Sequence, residues 1–457
     1  MKKVFVILAV MAFAFAGLTF ATDSRIAGLG VPVWMTLDDD SIVFGYAGQL
    51  NNYKNLALLE LNGPGSGWGG ATIDLGGNAL GLYINVPGTV STGLFSDVIS
   101  TINSIPILST VNVGSSTYKL TNMSVTPDNQ ITALYGLGLE GMNIGIGLAY
   151  SANSKSYAEK TTYLAKDEIS SSASEIGILL GASLTGDMPI DIGLSVNLPS
   201  ASYKTSDYRL SGTDSKLDNE DKVDASGLGI GVGARLISNN DLIANLGVGF
   251  SSGSVKIALK KDNNDNDNWS DTGDINGEIA DEVSNLSVNL GIAKLLKANN
   301  VNVIAGLTGG FASATEKKGK VTDNIDSTNN QKGTEDSTTD INVGINVAAE
   351  TKLNDTWSAR AGVSKGIFGT QSITKKDLDT DTKTEESNDT TAAPVISAGI
   401  SGVISNFTID AVISQALLFD GPYFIGGVAN TGLSSQVSLK YAWIYYCFQQ
   451  WNYQIYI

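Results

Sequence analysis

The residue types that most often carry acid–base, nucleophilic or metal chemistry are scarce in this chain. The sequence contains no histidine and a single cysteine, Cys447. A serine or threonine nucleophile would therefore have no imidazole to activate it, and a zinc site would lack its usual nitrogen and sulfur ligands. We expect a protein that is not an enzyme and that has no tightly bound cofactor.

Carboxylates are the one reactive group present in quantity. The densest cluster consists of Asp262, Asp265, Asp267, Asp271 and Asp274. This cluster is a candidate for loose Ca²⁺ binding, although it lacks the glycine and the closing glutamate of a helix-loop-helix calcium site. The long polar stretches are acidic as a group. They predict a rim that attracts cations or bridges lipid head groups through divalent ions, or else loops kept soluble by charge.

Residues 225–253 show the pattern on which the rest of the chain is built. Apolar residues occupy alternate positions in both halves of this stretch: Leu228, Ile230, Val232, Ala234 and Leu236, then Leu242, Ala244, Leu246, Val248 and Phe250. A period of two places alternate side chains on opposite faces of a β-strand. The polar residues 238–241 between the halves predict a tight hairpin turn. Each arm alternates for about ten residues, which is what a tilted strand needs to cross a bilayer.

The same kind of hairpin occurs repeatedly from residue 130 onward. The predicted strand pairs are 130–140 with 142–152, 172–185 with 189–199, 224–238 with 241–253, 283–296 with 301–313, 339–352 with 356–368, and 392–404 with 407–419. Turns within a pair are short. The connections between pairs are long and polar, at 153–171, 200–223, 254–282, 314–338, 369–391 and 420–432. Short turns that alternate with long loops are typical of outer-membrane β-barrels.

Four further strands complete the predicted barrel. They lie at 54–61, 67–75, 79–86 and, as the closing strand, 433–443. We therefore predict an all-β fold, a transmembrane antiparallel β-barrel that spans residues 54–443. The expected number of strands is about 16, with about 14 as the alternative, because the early strands are short.

Residues 1–21 have the features of a secretory signal peptide. Lys2 and Lys3 precede an apolar run, and Thr19-Phe20-Ala21 ends in the small residue that signal peptidase accepts. A formal net charge of −17 makes nucleic acid an unsuitable partner. We expect export to the bacterial outer membrane, with its lipids and the barrel-assembly machinery as partners. Trp443, at the end of the closing strand, resembles the aromatic signal that this machinery reads.

Residues 22–53 precede the strands and differ from them in pattern. They contain Gly28 and Gly30, then an acidic run, and then Phe44-Gly45-Tyr46-Ala47-Gly48-Gln49-Leu50. This segment resembles the N-terminus of the FadL-type and PorV-like outer-membrane barrels, although Gly45-Tyr46-Ala47 stands where Asn-Pro-Ala is expected. The resemblance implies a plug inside the barrel lumen; a periplasmic tail or a first strand is the alternative. The candidate plug residues are Asp38, Asp39, Asp40, Tyr46 and Ala47.

Two other stretches depart from the alternating pattern. Within residues 87–129, apolar residues from Leu94 to Ile105 follow a helical period that Pro106 would end. Such a helix would constrict the lumen or cap its mouth; an ordinary surface loop is the alternative. Residues 444–457 contain no Gly, Ser, Asp, Glu or Lys. They suggest a lost stop codon or a frameshift, or alternatively a genuine extra strand.

Period two also assigns polar side chains to the barrel interior. If the apolar faces meet lipid, the inward residues are Asp191, Asn197, Arg235, Asn245, Asn289, Asn342, Asn346, Glu350, Lys352, Arg360, Asp410, Gln436 and Lys440. Their mixed charges and amides fit a water-filled channel without strong selectivity for either sign of charge. They fit equally well a polar network that holds a plug.

Three functions are compatible with this fold. The first is a porin-like barrel that lets small solutes cross the outer membrane. The second, which the N-terminal resemblance favours, is FadL-like uptake of hydrophobic compounds past a plug. The third is a non-conducting surface, structural or secretion-associated barrel whose loops bind a partner.

Overall fold

The chain forms a closed antiparallel β-barrel. The structure, a computed structural model, describes residues 23–37, 39–61, 67–86, 111–113, 116–118, 130–160, 166–211, 214–238, 240–261, 275–323, 330–389, 391, 393–413 and 434–443. The predicted signal peptide (1–21), Asp38, the helical stripe at 94–105, the aspartate cluster at 262–274 and the tail 444–457 all lie outside these residues. The predicted fold class is confirmed.

The elements follow one another simply along the chain. A helix, α1 (Asp23–Leu29), and three 3-10 turns (Val33–Met35, Asp40–Phe44 and Ala47–Asn52) come first. The strands are β1 Leu56–Leu61, β2 Gly67–Asp74, β3 Ala79–Ile84, β4 Val111–Val113, β5 Ser116–Tyr118, β6 Ile131–Leu139, β7 Met142–Lys160, β8 Lys166–Leu184, β9 Ile190–Ser211, β10 Asp214–Ile237, β11 Leu242–Lys261, β12 Ile275–Ala298, β13 Val301–Asp323, β14 Thr334–Lys352, β15 Trp357–Asp377, β16 Thr382–Asp389, β17 Val395–Ile404, β18 Phe407–Ile413 and β19 Ser434–Ala442. None of the described helices is long and apolar enough to cross a membrane.

Each barrel strand pairs with its neighbours, and the ring closes between β1 and β19. The closing ladder runs antiparallel from Leu56 opposite Ala442 to Leu61 opposite Val437. β3 pairs directly with β6, and β4 and β5 form a separate small ladder. β16 and β17 both pair with β15, one above the other, and are two parts of one interrupted barrel strand. Counted this way, the described residues form a barrel of 16 strands, as predicted.

Large apolar side chains point outward and small ones inward. On β7, Ile144, Ile146 and Leu148 are 39%, 53% and 56% exposed. The alternate residues Gly145, Gly147 and Ala149 are buried on the inner face. This arrangement is the reverse of a soluble protein, and it fits a wall whose outer face meets hydrocarbon.

The predicted short turns are all found between paired strands. They lie at one end of the barrel, which is called here the short-turn end. Gly141, Asn299 and Ser405 adopt positive φ values of 75°, 51° and 62°. These conformations suit glycine and asparagine and let two-residue connections match the twist of the strands.

Five of the six predicted long polar loops are wrong for most of their length, and the sixth, 420–432, lies outside the described residues. Residues 153–160, 166–171 and 200–211 continue β7, β8 and β9, and the connections predicted at 254–282, 314–338 and 369–391 are shortened in the same way. β10 and β12 reach 24 residues, roughly 80 Å at 3.3 Å per residue, and a tilted strand needs less than half of that to cross hydrocarbon. Beyond the membrane the outward side chains become polar. The backbone ladder persists, but the outward apolar side chains that revealed the strands are lost.

The wall is irregular at one place on β15. Its residues 370–377 pair with β16 and its residues 357–364 pair with β17, so that 365–369 lie between the two ladders. On the other side of β15, Gly366 faces Gly344 and Phe368 faces Val343. Ile367 is therefore the extra residue of a β-bulge, and adjacent Ile367 and Phe368 are both about half exposed, at 50% and 51%.

Candidate functional site

Residues 23–53, called here the N-terminal segment, lie inside the barrel. Gly30 ends α1 with a φ of 60°, and its amide donates to the Ile26 carbonyl at 2.9 Å. Asp39 caps the second 3-10 turn by accepting a hydrogen bond from the Ser41 amide at 3.0 Å. These local signals keep the segment in short turns rather than in a strand.

The N-terminal segment touches every barrel strand. α1 packs against β18. On the other fifteen strands the segment meets Glu60, Trp68, Tyr83, Gly136, Gly145, Gly181, Asp191, Arg235, Asn245, Gly291, Gly306, Glu350, Gly362, Gly399 and Lys440. Most of these residues lie within the half of the barrel nearer the short turns. The segment thus extends across the lumen there.

A row of glycines receives the backbone of the third 3-10 turn. Gly136, Gly145, Gly181, Gly193 and Gly233 lie opposite one another on β6–β10 and face inward. A Cβ atom at Gly181 would lie 2.6 Å from the nitrogen of Ala47, closer than real Cβ contacts. Positions 145 and 193 are tighter still, against the carbonyls of Ala47 and Gly45. This row allows the segment to approach the wall backbone to backbone.

An arginine on α1 binds the wall at β14, away from the glycine row on β6–β10. Arg25 donates from Nε to Glu350 Oε1 at 3.0 Å and from Nη2 to Glu350 Oε2 at 2.7 Å. Burial alone would lower the pKa of Arg25, but the Glu350 carboxylate raises it, so the guanidinium stays charged. Arg360 lies 3.5 Å from Glu350 and also pairs with Asp410. The four residues form one chain of alternating charge.

Arg235 fastens the middle of the segment. Its Nε and Nη2 donate to Asp191 Oδ2 at 2.9 and 2.7 Å, and its Nη1 donates to the carbonyl of Thr36 at 2.9 Å. Its guanidinium also lies 5.7 Å from the ring centre of Tyr46, whose hydroxyl donates to Asn245 Oδ1 at 2.9 Å. Asp191 and Arg235 are nearly inaccessible to solvent.

Breaking the Asp191–Arg235 pair should be costly. We expect Arg235→Leu to lower the free energy of unfolding by about 3–5 kcal/mol, because it leaves a buried carboxylate without its partner. The double variant Asp191→Leu, Arg235→Leu should recover most of this loss. Urea titration of the purified protein in vesicles measures both. A single-variant loss below about 1 kcal/mol would show that the pair is not buried as described.

Carboxylates outnumber basic groups beneath α1. Asp40 pairs with Lys440, and Glu60 accepts from Ser24 Oγ at 2.8 Å. Oδ2 of Asp39, Oδ1 of Asp40 and Oε1 of Glu60 are nevertheless buried without a hydrogen-bond partner. Burial and the neighbouring Asp40 carboxylate raise the pKa of Asp39 well above its usual range. The closed arrangement therefore retains unsatisfied polar atoms.

The predicted interior residues divide into three groups. Asp191, Arg235, Asn245, Glu350, Gln436 and Lys440 bond to the N-terminal segment or to a residue that contacts it, and Arg360 and Asp410 pair beside it. Asn346 is buried, Asn197 is half-buried, and Asn289 and Asn342 are exposed beside Gly310. Lys352 ends β14 at the short turns and is exposed. Of the plug candidates, Asp40, Tyr46 and Ala47 contact the wall, whereas Asp39 is buried and accepts hydrogen bonds from Ser41 within the segment.

Several residues of this site were not predicted from the sequence. They are Ser24, Arg25, Thr36, Glu60, Trp68 and the glycine row. The inward position of Glu60 could have been predicted, since it occupies every second position of β1 together with Leu56 and Leu58, on the inner face. The glycine row required the register of five strands, which no local pattern gives.

The wall above the N-terminal segment is partly apolar. Tyr203, Val223, Ile257, Ile279 and Val321 lie directly opposite one another across β9–β13. Tyr203, Val223 and Ile257 are buried. Each lies an even number of positions from an inward residue of its own strand, so each also faces inward; those residues are Asp191, Arg235 and Asn245. We call these five residues the apolar row. At this end of the barrel the interior is therefore partly apolar, in stretches that the sequence pattern predicted as loops.

A pocket of about 500 Å³ lies on the N-terminal segment itself. Ile26, Val31, Val33 and Phe44 give it apolar walls, and Asp23, Ser41 and Gln436 add polar groups. Burial raises the pKa of Asp23, although the Trp68 indole N–H donates to its carboxylate at 2.9 Å. Among the described residues no set of acidic or cysteine side chains is arranged to hold a metal ion.

The fold and these contacts define a class of protein: a closed barrel with an apolar exterior whose own N-terminal segment extends across the lumen. Similar structures include the toluene transporter TbuX of Ralstonia pickettii, with 12% identity, 93% of this chain and 98% of that chain covered, and a TM-score of 0.35. The toluene transporter TodX of Pseudomonas putida has 11% identity, coverages of 93% and 97% and a TM-score of 0.33. A FadL homologue of Pseudomonas aeruginosa has 9% identity, coverages of 94% and 99% and a TM-score of 0.37.

No family model and no curated protein matches the sequence. FadL-type barrels, which the residues around Gly28 and Tyr46 resemble, are thus found among the similar structures.

Proposed function

We propose that this chain is an outer-membrane transporter whose lumen is closed by the N-terminal segment and opens when that segment moves. The observation that carries this proposal is the contact of the segment with all sixteen barrel strands. A barrel of this size leaves room for an aqueous path only if nothing lies across it. Transport through it therefore needs displacement of residues 23–53 rather than diffusion through a permanently open pore.

The chemistry of the interface supports such movement. Ion pairs and hydrogen bonds fix the segment at separate points, and two apolar clusters lie between them. Buried oxygens of Asp39, Asp40 and Glu60 without partners reduce the net stability of the closed state, because each has lost its hydration. Closure of this kind seals the barrel. The free-energy gap to an open state is smaller than it would be if these oxygens had hydrogen-bond partners.

We further propose that the solute is a small hydrophobic or amphipathic molecule. The apolar row offers such a molecule an inward-facing surface before it reaches the N-terminal segment. The irregular wall at 365–369 includes the outward side chains of Ile367 and Phe368 and therefore lies at the level of the apolar outer surface. Its residues belong to neither the β16 nor the β17 ladder. A porin-like passage for small hydrophilic solutes is the rival, and a non-conducting barrel is the third possibility.

Binding of an apolar fluorescent probe, N-phenyl-1-naphthylamine, tests the solute class. We expect Ile257→Asp to weaken binding about tenfold, because it places a charge on the apolar row. Ala258→Asp is the matched control, since residue 258 is adjacent but faces outward. Equal binding by both variants would contradict a hydrophobic solute. Swelling of proteoliposomes in sugars without any probe binding would favour the porin-like rival.

A further inference from the structure

The outer face of the barrel carries an apolar groove of about 700 Å³ across β10–β14. Three of its residues have small side chains at outward positions: Ala234, Ala244 and Gly309. Larger outward side chains surround them, namely Leu236, Leu246, Leu290, Ile292, Leu307 and Val343. In register, Ala234 faces Leu246 and Gly309 faces both Leu290 and Val343, so the depression runs continuously across adjacent strands.

A groove of this kind must be filled by something flexible. An empty depression in the outer wall would leave its lining without dispersion contacts, whereas a hydrocarbon chain can follow its shape. The groove lies on the exterior, separated from the N-terminal segment by the thickness of the wall. It is therefore distinct from the lumenal site.

One end of the groove is cationic. Lys294 is the next outward residue after Ile292 on β12 and lies opposite Leu242 and Ala305, among apolar neighbours. Its ammonium group reaches back to the short turn and donates to the carbonyl of Asn240. Lys297 contacts the same short turn, with its Nζ 3.3 Å from Asp241 Oδ1 and its side chain 59% exposed. Two ammonium groups against one carboxylate leave net positive charge at this short turn, which adjoins the end of the groove at Ile292.

We propose that this groove together with Lys294 and Lys297 binds one membrane glycerophospholipid. An acyl chain lies along Ala234, Ala244 and Gly309, and the phosphate lies beside the two ammonium groups. Lysines whose alkyl stems lie along apolar surface present their charge at the level of the lipid head groups. A second copy of this chain fits less well, since an isologous contact would bring the lysines of both copies together. The inference rests on the membrane location proposed above.

Native mass spectrometry of the purified full chain with added dioleoyl-phosphatidylglycerol tests this site. We expect Lys294→Gln with Lys297→Gln to reduce retained lipid by about fivefold for each lysine removed. Gly309→Leu should reduce it as well by filling the groove. A Cβ there has room, since the nearest atom is the Asn342 carbonyl oxygen at 3.9 Å. Dioleoylglycerol, which lacks the phosphate, should bind weakly and without sensitivity to the lysines.

Two outward residues away from the groove provide matched controls, Lys365→Gln for charge and Ala361→Leu for volume. Both lie on β15 and should retain the lipid as the native chain does. Loss of lipid in the controls equal to that in the groove variants would overturn the proposal, as would a dimer that Gly309→Leu abolishes. Conductance and probe binding should not change in Gly309→Leu. A failure of this site is therefore distinguishable from a failure of the transport proposal.

Discussion

The full-length protein carrying Gly145→Val and Gly181→Val should conduct ions at least about tenfold better than the native chain in planar bilayers. The two glycines face the backbone of Ala47 and Gly48, where a Cβ at Gly181 would already lie 2.6 and 2.7 Å from their amide nitrogens. Valine adds two further methyl groups at each position. Backbone atoms on both sides cannot give way as a flexible side chain would, so the third 3-10 turn must leave the wall.

Gly247→Val is the matched control for this experiment. Gly247 continues the same row on β11, opposite Gly233, and also faces inward. The nearest atom to a Cβ there is the Asn289 Cβ at 3.8 Å, which is ordinary contact. This variant should therefore keep the native conductance. If the double variant also stays closed, although heat-modifiable electrophoretic mobility shows a folded barrel, the glycine row does not hold the segment in place.

The strands of the membrane part of the barrel could be predicted from the sequence, because one physical rule dominates there. Side chains of Leu228 to Leu236 and of Leu242 to Phe250 must face hydrocarbon, and a period of two follows directly. The short turns were equally predictable, since residues such as Gly141 and Asn299 suit positive φ values. Strand order then required only that sequential neighbours pair.

Beyond the membrane the same reasoning failed for a physical reason. Residues such as Ser202, Asp224 and Lys256 face water outside, so the outward apolar side chains that mark the membrane part of a strand are missing there. The backbone ladder still forms, because its hydrogen bonds do not depend on side-chain polarity. The apolar row on the inner face was present in the sequence at Tyr203, Val223 and Ile257, but it lay inside stretches predicted as loops.

The sequence predicted which strand residues face the interior, but not which residues of the N-terminal segment they bind. Period two placed Asp191 and Arg235 on inner faces, and the register of β9 against β10 then sets them opposite each other. The partnership of Arg235 with the Thr36 carbonyl, and of Arg25 with Glu350, depends on how residues 23–53 fold within the ring. Contacts over more than 150 residues of sequence leave no local signature.

Single-channel conductance of the chain with residues 23–53 deleted and the preceding residues retained tests the central claim most directly. We expect an open pore with at least about tenfold higher conductance than the full-length protein, since a barrel of 16 strands without its N-terminal segment leaves an aqueous path. A folded barrel that stays closed after this deletion would contradict closure by the N-terminal segment.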